Sequence, residues 1–251
     1  MKRWFSQQDH RIRLLWGRHG VRRAADRGDI AVVVDVLTFS TTAAVAASRG
    51  VVLYPFGPGE PPGPMAKRLG AELAVPREQV PPGRFSLSPL TFLDAPDELK
   101  LLLPSPNGAA CVSCGGSLPH VVVAALVNAS EAAGRVARLL SETELGVTVV
   151  ACGERWREPC EDGELRFALE DYLGAGAVLA RLEGDKSAEA RAAEAAWHGA
   201  GADIEAVLLD CGSGRELQGR GYQADVRLAA RLDAFPAVPV LAGACLMAAS
   251  R

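Results

Sequence analysis

The sequence predicts an α/β fold of three layers: a largely parallel or mixed sheet with helices on both faces. Three observations predict it. Short β-branched runs alternate with Ala-rich helical stretches along the chain. The runs are almost wholly apolar, as strands covered on both faces must be. Polar clusters follow the runs directly, where such sheets place their ligand loops, at the carboxyl ends of the strands.

Ile30–Leu37 reads as a buried strand, and Ser40-Thr41-Thr42 caps a helix that runs to about Ser48. Val51–Phe56 is the next strand. Pro58–Pro64 is a Pro/Gly loop, Met65–Leu73 a helix, and residues 76–98 a proline-rich excursion without periodicity. Leu101–Pro104 is a strand that enters the turn Ser105-Pro106-Asn107-Gly108, with a helix from near Ala109. Val121–Val127 is a strand, and Asn128-Ala129-Ser130-Glu131 opens a helix to about Leu140. Val147–Ala151 is a strand ending in Cys152-Gly153-Glu154-Arg155, followed by a polar loop over 156–164. Helices are expected at about 167–182, 187–198 and 203–211, with Arg215–Gly219 also helical. Val226–Ala230 and Val238–Leu241 read as late strands. Residues 1–251 are expected to form one α/β domain, with 76–98 as an insertion rather than a joint between domains.

Composition excludes several classes. Hydrophobic residues make up 49% and charged residues 23%, so disorder, collagen and coiled coil are ruled out. The apolar runs are too short to span a bilayer. A net charge of −3 gives no general attraction to nucleic acid. The start, Met1-Lys2-Arg3-Trp4-Phe5-Ser6, is basic but lacks an apolar core after it, so no secretory signal and a cytoplasmic location are expected. Six cysteines in such a chain read as reduced thiols. Cys111 and Cys114 have CxxC spacing, but no second ligand pair accompanies them, and small apolar packing is the simpler role. The basic residues are overwhelmingly arginine, which binds carboxylate, phosphate and sulfonate well, although base composition accounts for the bias equally.

Four constellations could carry chemistry. In Asp35-Val-Leu-Thr38-Phe-Ser40-Thr41-Thr42 an acid closes a strand and hydroxyl residues open a helix. The helix start offers N–H groups to an anion, and Asp35 could hold a divalent cation or attack phosphorus. Ser105-Pro106-Asn107-Gly108 suits an anion-binding nest of backbone N–H groups. In Leu169-Glu170-Asp171-Tyr172-Leu173-Gly174-Ala175-Gly176 two carboxylates point about 100° apart on a helix. At least one then faces the interior and needs a cation or a donor. Gly174 and Gly176 suggest close backbone packing or ligand approach. His19, within Trp16-Gly17-Arg18-His19-Gly20, is a weaker candidate acid or base. Gly212-Ser213-Gly214 is a weak nucleotide signal, and neither a Walker motif nor GxGxxG is present.

Taken together, Val32–Thr42, Leu87-Ser88-Pro89, Ser105–Gly108, Leu169–Gly176 and, more weakly, Gly219–Val226 resemble the 2-phosphosulfolactate phosphatases of coenzyme M biosynthesis and their bacterial relatives. The resemblance runs over roughly residues 14 to 243. It implies an α/β fold and Mg²⁺-dependent hydrolysis of 2-phospho-3-sulfolactate to 3-sulfolactate and phosphate. It places Asp35, Glu170 and Asp171 in catalysis and on the metal. It places Ser40, Thr41, Thr42, Ser88, Asn107, Gly108 and Arg155 on the substrate. The expected partner is a small phosphorylated acid, not nucleic acid or membrane, and a homo-oligomer stays open. Three positions depart from the pattern. Thr38 stands where an Arg is usual, Leu87 where an Asn is often found, and Pro104-Ser105-Pro106 replaces a Thr-rich lead into Asn-Gly. Arg155, Arg18 or Arg84 could compensate for the lost Arg. Two alternatives therefore accompany the reading: another phosphorylated hydroxy acid as substrate, or a non-catalytic anion-binding protein of the same fold.

Overall fold

The computed structural model describes residues 3–59, 61–160 and 163–250. Its elements in chain order begin with β1 (Ile12–Trp16), α1 (Gly17–Arg27), β2 (Ile30–Val34), α2 (Phe39–Ala47), β3 (Val52–Phe56), α3 (Pro62–Leu69) and β4 (Glu72–Leu73). There follow β5 (Lys100–Pro104), α4 (Gly108–Ser113), β6 (His120–Ala124), α5 (Ala129–Glu142), β7 (Val147–Ala151), β8 (Glu154–Cys160) and β9 (Gly163–Arg166). The last part holds α6 (Leu169–Leu179), α7 (Ala188–Ala200), α8 (Ile204–Asp210), α9 (Gly212–Gly219), α10 (Gln223–Ala229), β10 (Pro239–Ala242) and β11 (Cys245–Ala248).

Among the described residues nine strands form one sheet in the order β1-β7-β2-β6-β10-β11-β3-β5-β4. It is mixed. β1, β7, β2 and β6 are mutually parallel, β3, β5 and β4 are parallel to one another, and the antiparallel pair β10–β11 joins the two groups. The three-layer expectation holds. Ile30, Val32 and Val34 of β2 pack toward α5, α6 and α7, while Val33 packs toward α1, α2 and α4. All four are fully buried, which is why β2 reads as an unbroken apolar run. No helix among the described residues is long and apolar enough to cross a membrane.

Four local expectations are corrected. β1 was not expected, because Arg13 interrupts its apolar pattern. Arg13 is buried all the same, its Nη1 donating to both Asp29 oxygens at 3.0 Å, while Arg27 and Thr148 donate to Asp29 Oδ2 at 2.9 and 2.7 Å. Paired this way, an arginine is tolerated inside a sheet. The expected strand Val226–Ala230 is helix α10, and its apolar residues 226, 229 and 230 follow helical spacing. The expected loop over 156–164 is the hairpin β8–β9. It stands off the main sheet with Trp156 and Leu165 about half exposed, so no buried face gives it an alternating pattern. The helix expected over Met65–Leu73 is α3, ended by Gly70 in the left-handed region (φ 60°) before β4.

Gly174 and Gly176 explain how α6 lies so close to its neighbours. A Cβ at Gly174 would fall 2.5 Å from Val36 Cγ2, and one at Gly176 would fall 2.2 Å from the Ala193 carbonyl oxygen on α7. The first contact seats α6 against the end of β2, where Asp35 follows. The second involves backbone, which cannot turn aside. Gly176→Ala is therefore expected to lower stability by about 2 kcal/mol through overpacking, measurable as a lower urea midpoint at unchanged slope.

Candidate active site

Asp35 follows β2 directly and is 5% exposed. Its carboxylate is fixed by backbone donors from two helix starts: Phe39 N donates to Oδ1 at 3.2 Å and Gly108 N to Oδ2 at 2.7 Å. Burial and the nearby charge of Glu154 push its pKa up to about 7, against the pull of those two N–H groups. The backbone around it is locked by Ser40, whose Oγ accepts from Asp35 N at 2.9 Å while Ser40 N donates to the Asp35 carbonyl at 2.8 Å.

Asp171 sits on the first turn of α6 and is 3% exposed. Val36 N donates to its Oδ1 at 2.8 Å and Gly153 N to its Oδ2 at 2.9 Å. The side chain thus ties the loop after β2 to the loop after β7, and the residues next to the two ties are Asp35 and Glu154. Burial, with the charges of Asp35 and Glu170, raises Asp171 well above the usual carboxylate range. Glu170, buried beside it, accepts from the Cys211 thiol at 3.4 Å, and burial together with that carboxylate pushes the thiol to about 12.

A cleft of about 200 Å³ opens over Asp35. Thr38, Asn107, Glu154, Arg77, Ser213 and Arg220 line it with Asp35. Glu154 Oε1 accepts from Asn107 Nδ2 at 2.8 Å and from Arg155 N at 2.8 Å. Arg155 Nε donates to Asn107 Oδ1 at 3.1 Å and its Nη1 to Glu164 at 2.6 Å, so Arg155 braces Asn107 and Glu154 from behind.

The residues expected from the sequence divide accordingly. Asp35 and Asn107 face the cleft, Gly108 supplies an N–H to Asp35, and Arg155 stands behind Asn107. Ser40, Thr41 and Thr42 are wholly buried, and none of the three lines the cleft. Their hydroxyls donate to the carbonyls of Val33 (3.3 Å), Val36 (2.8 Å) and Leu87 (2.8 Å), so they build the loop that presents Asp35. Ser88 is likewise turned inward, donating to Asp225 Oδ1 at 2.6 Å. Glu170 and Asp171 lie behind Asp35, and among the described residues no cluster of three His, Cys, Asp or Glu side chains forms a ready-made metal cage. His19 lines a separate cavity with Arg18 and Arg22.

Glu154 and Arg77 line the cleft but were given no role from the sequence, and Ser213 was noted only within a weak nucleotide signal. Glu154 carries the same signal as Asp35, an acid just past a buried strand. Arg77 carries none, because it reaches the cleft only through tertiary packing. Of the arginines weighed against Thr38, Arg18 and Arg155 border the neighbouring cavity and Arg84 pairs with Glu72 at 3.8 Å. The guanidinium beside Thr38 belongs instead to Arg77, whose Nη2 donates to Thr38 Oγ1.

The site is a carboxylate pinned at the end of a central strand by N–H groups of two helix starts in a mixed three-layer α/β fold, and comparison with known proteins gives its class, a phosphoric monoester hydrolase. A model of the 2-phosphosulpholactate phosphatase family matches residues 19–244, and the chain belongs to that family. It is similar to the probable 2-phosphosulfolactate phosphatase of Parasynechococcus marenigrum, with 33% identity over 225 residues covering 84% of this chain and 88% of the relative. The protein of that name in Gloeobacter violaceus is 30% identical over 227 residues, covering 84% and 87%. The one in Carboxydothermus hydrogenoformans is 27% identical over 235 residues, covering 91% and 92%.

Proposed function

We propose that the protein hydrolyses 2-phospho-3-sulfolactate to 3-sulfolactate and phosphate with Mg²⁺ bound at Asp35 and Glu154. The observation that carries this is the pairing of two carboxylates in one polar cleft, where Asp35 has only backbone donors as hydrogen-bond partners among the described residues. Such a donor set suits Mg²⁺, which takes one or two carboxylates and completes its shell with water and phosphate oxygens. When bound, the cation offsets charge on the transferred phosphoryl group.

The chain's own residues do the rest. Asp171 holds the loops after β2 and β7 at a fixed separation, so Asp35 and Glu154 keep their spacing. Asn107 and Arg155 hold Glu154 by hydrogen bonds. The Gly108 and Phe39 N–H groups favour the ionised Asp35 that a cation requires. Water supplies the oxygen that bonds phosphorus, and the ester oxygen leaves with a proton as the hydroxyl of 3-sulfolactate. Glu170 adds negative charge behind Asp35 and strengthens the preference for a cation.

The test is phosphate release from 2-phosphosulfolactate with Mg²⁺ and then with excess chelator. Turnover that chelator abolishes and added Mg²⁺ restores is the expected result. Turnover unaffected by chelator would remove the metal from the reading. No turnover from folded, Mg²⁺-supplied protein would return the substrate to a wider panel of phosphorylated hydroxy acids.

A further inference from the structure

Asp35 and Glu154 account for part of the cleft lining, and Arg77 brings a different chemistry to it. Arg77 arrives from the turn Arg77–Gln79 within the proline-rich excursion. Its side chain is 9% exposed and lines the cleft. Nη2 donates to Thr38 Oγ1 and, at 3.1 Å, to the Leu87 carbonyl. The guanidinium carbon lies 5.4 Å from the centre of the Tyr222 ring.

This cation has one carboxylate beside it but keeps donors to spare. Its nearest carboxylate oxygen, Asp225 Oδ2, is 3.5 Å from Nη2 and makes no hydrogen bond among the described residues, and neither does Arg77 Nε. A buried guanidinium offers five N–H donors, and leaving donors unpaired is costly. Ser213, which also lines the cleft and is 5% exposed, has a buried hydroxyl with no partner among the described residues. Thr38 connects these groups to the cleft. Its Oγ1 accepts from Arg77, so its own proton points elsewhere, and no acceptor for it occurs among the described residues. A hydroxyl that accepts from a cation is a stronger donor in its turn. Arg77 and the two hydroxyls thus leave N–H and O–H donors unspent beside the cleft, although the guanidinium already faces one carboxylate, Asp225.

We propose that Arg77, with Thr38 and Ser213, forms a second acid-group subsite, which binds the sulfonate or carboxylate of the substrate while its phosphate lies at Asp35 and Glu154. On this reading Arg77 is a specificity residue that selects phosphate esters bearing a further acid group. This rests on the phosphatase reading above. A merely structural Arg77, serving Asp225, would affect all substrates alike.

The test compares four phosphate esters on wild type, Arg77→Met, Arg77→Lys and Thr38→Val. They are 2-phosphosulfolactate, 2-phospholactate without sulfonate, 2-phosphooxyethanesulfonate without carboxylate, and 4-nitrophenyl phosphate with no second acid. Arg77→Met is expected to raise KM for 2-phosphosulfolactate roughly tenfold or more, with kcat changed less and KM for 4-nitrophenyl phosphate unmoved. Arg77→Lys should recover part of the loss. Thr38→Val, which leaves Arg77 and Asp225 in place, should give a smaller rise in the same substrates. The two single-acid esters show which group the subsite reads: the one whose KM rises carries it. An equal rise for 4-nitrophenyl phosphate, or a loss confined to kcat, would overturn the proposal. If wild type turns over none of the four, the phosphatase reading has failed, and the subsite is judged by 3-sulfolactate and thermal melting. A rise in Tm present in wild type and absent in Thr38→Val would support it, and no rise in wild type would overturn it.

Discussion

Asp35→Asn is expected to lower kcat/KM for the phosphate ester by roughly 10³, the scale on which a preorganised charge at a reacting centre contributes. The variant keeps the size of the side chain and one carbonyl oxygen, so Gly108 N or Phe39 N retains an acceptor, and folding persists. It removes the negative charge that the proposed Mg²⁺ would need. A second readout separates charge from shape. In chelator, without metal, Asp35 has a folded pKa of about 7, raised by burial and by Glu154. Between the ordinary carboxylate range and about 7 the folded chain therefore holds more proton at this site than the unfolded chain. Stability then falls as pH rises through that window and is flat above it. Asparagine does not titrate, so the stability of Asp35→Asn relative to wild type should increase from pH 4 to 7 and then level off. Urea melts at several pH values check this. Near-normal turnover in Asp35→Asn would remove this residue from the mechanism, and a pH-independent difference in stability would show that its carboxyl is not perturbed.

Much of this site was legible because it follows sheet logic. Asp35 and the turn at Asn107-Gly108 each lie just past an apolar strand, where such sheets place ligand loops, but that β2 and β5, from different parallel groups, bring them together is visible only in the fold. Arg13 hid β1, since a charge inside a strand is tolerated only with a partner, and Asp29 is 16 residues away in sequence. The hydroxyl run Ser40-Thr41-Thr42 looked like an anion cradle because sequence shows donors and not directions. In the fold those donors are spent on the carbonyls of residues 33, 36 and 87. Asp171 looked like a ligand for the same reason, and both its oxygens are taken by backbone N–H groups of two different loops. Arg77 was invisible altogether. An arginine in a proline-rich excursion gives no local sign that its guanidinium ends beside Thr38.

Gly108→Ala should lower both stability and activity, although it changes no functional group. Gly108 opens α4, and a Cβ there would fall 2.4 Å from Phe39 Cδ1, 2.6 Å from Asp35 Oδ2 and 2.7 Å from Phe39 Cβ. Phe39 is wholly buried and cannot swing out. The start of α4 must retreat, and the 2.7 Å bond from Gly108 N to Asp35 Oδ2 goes with it. The expected cost is about 3 kcal/mol of stability from overpacking and a broken buried bond. Activity should fall by roughly 10² or more, because one oxygen of Asp35 loses its fixed direction. If that is the route, the two substitutions act on one element of the site and do not add. Gly108→Ala combined with Asp35→Asn should then lower kcat/KM little further than Asp35→Asn alone, whereas independent roles would multiply the two losses. A multiplied loss would mean that Gly108 touches the substrate itself, and the turn at Asn107-Gly108 would then act as an anion nest in its own right rather than as a brace for Asp35.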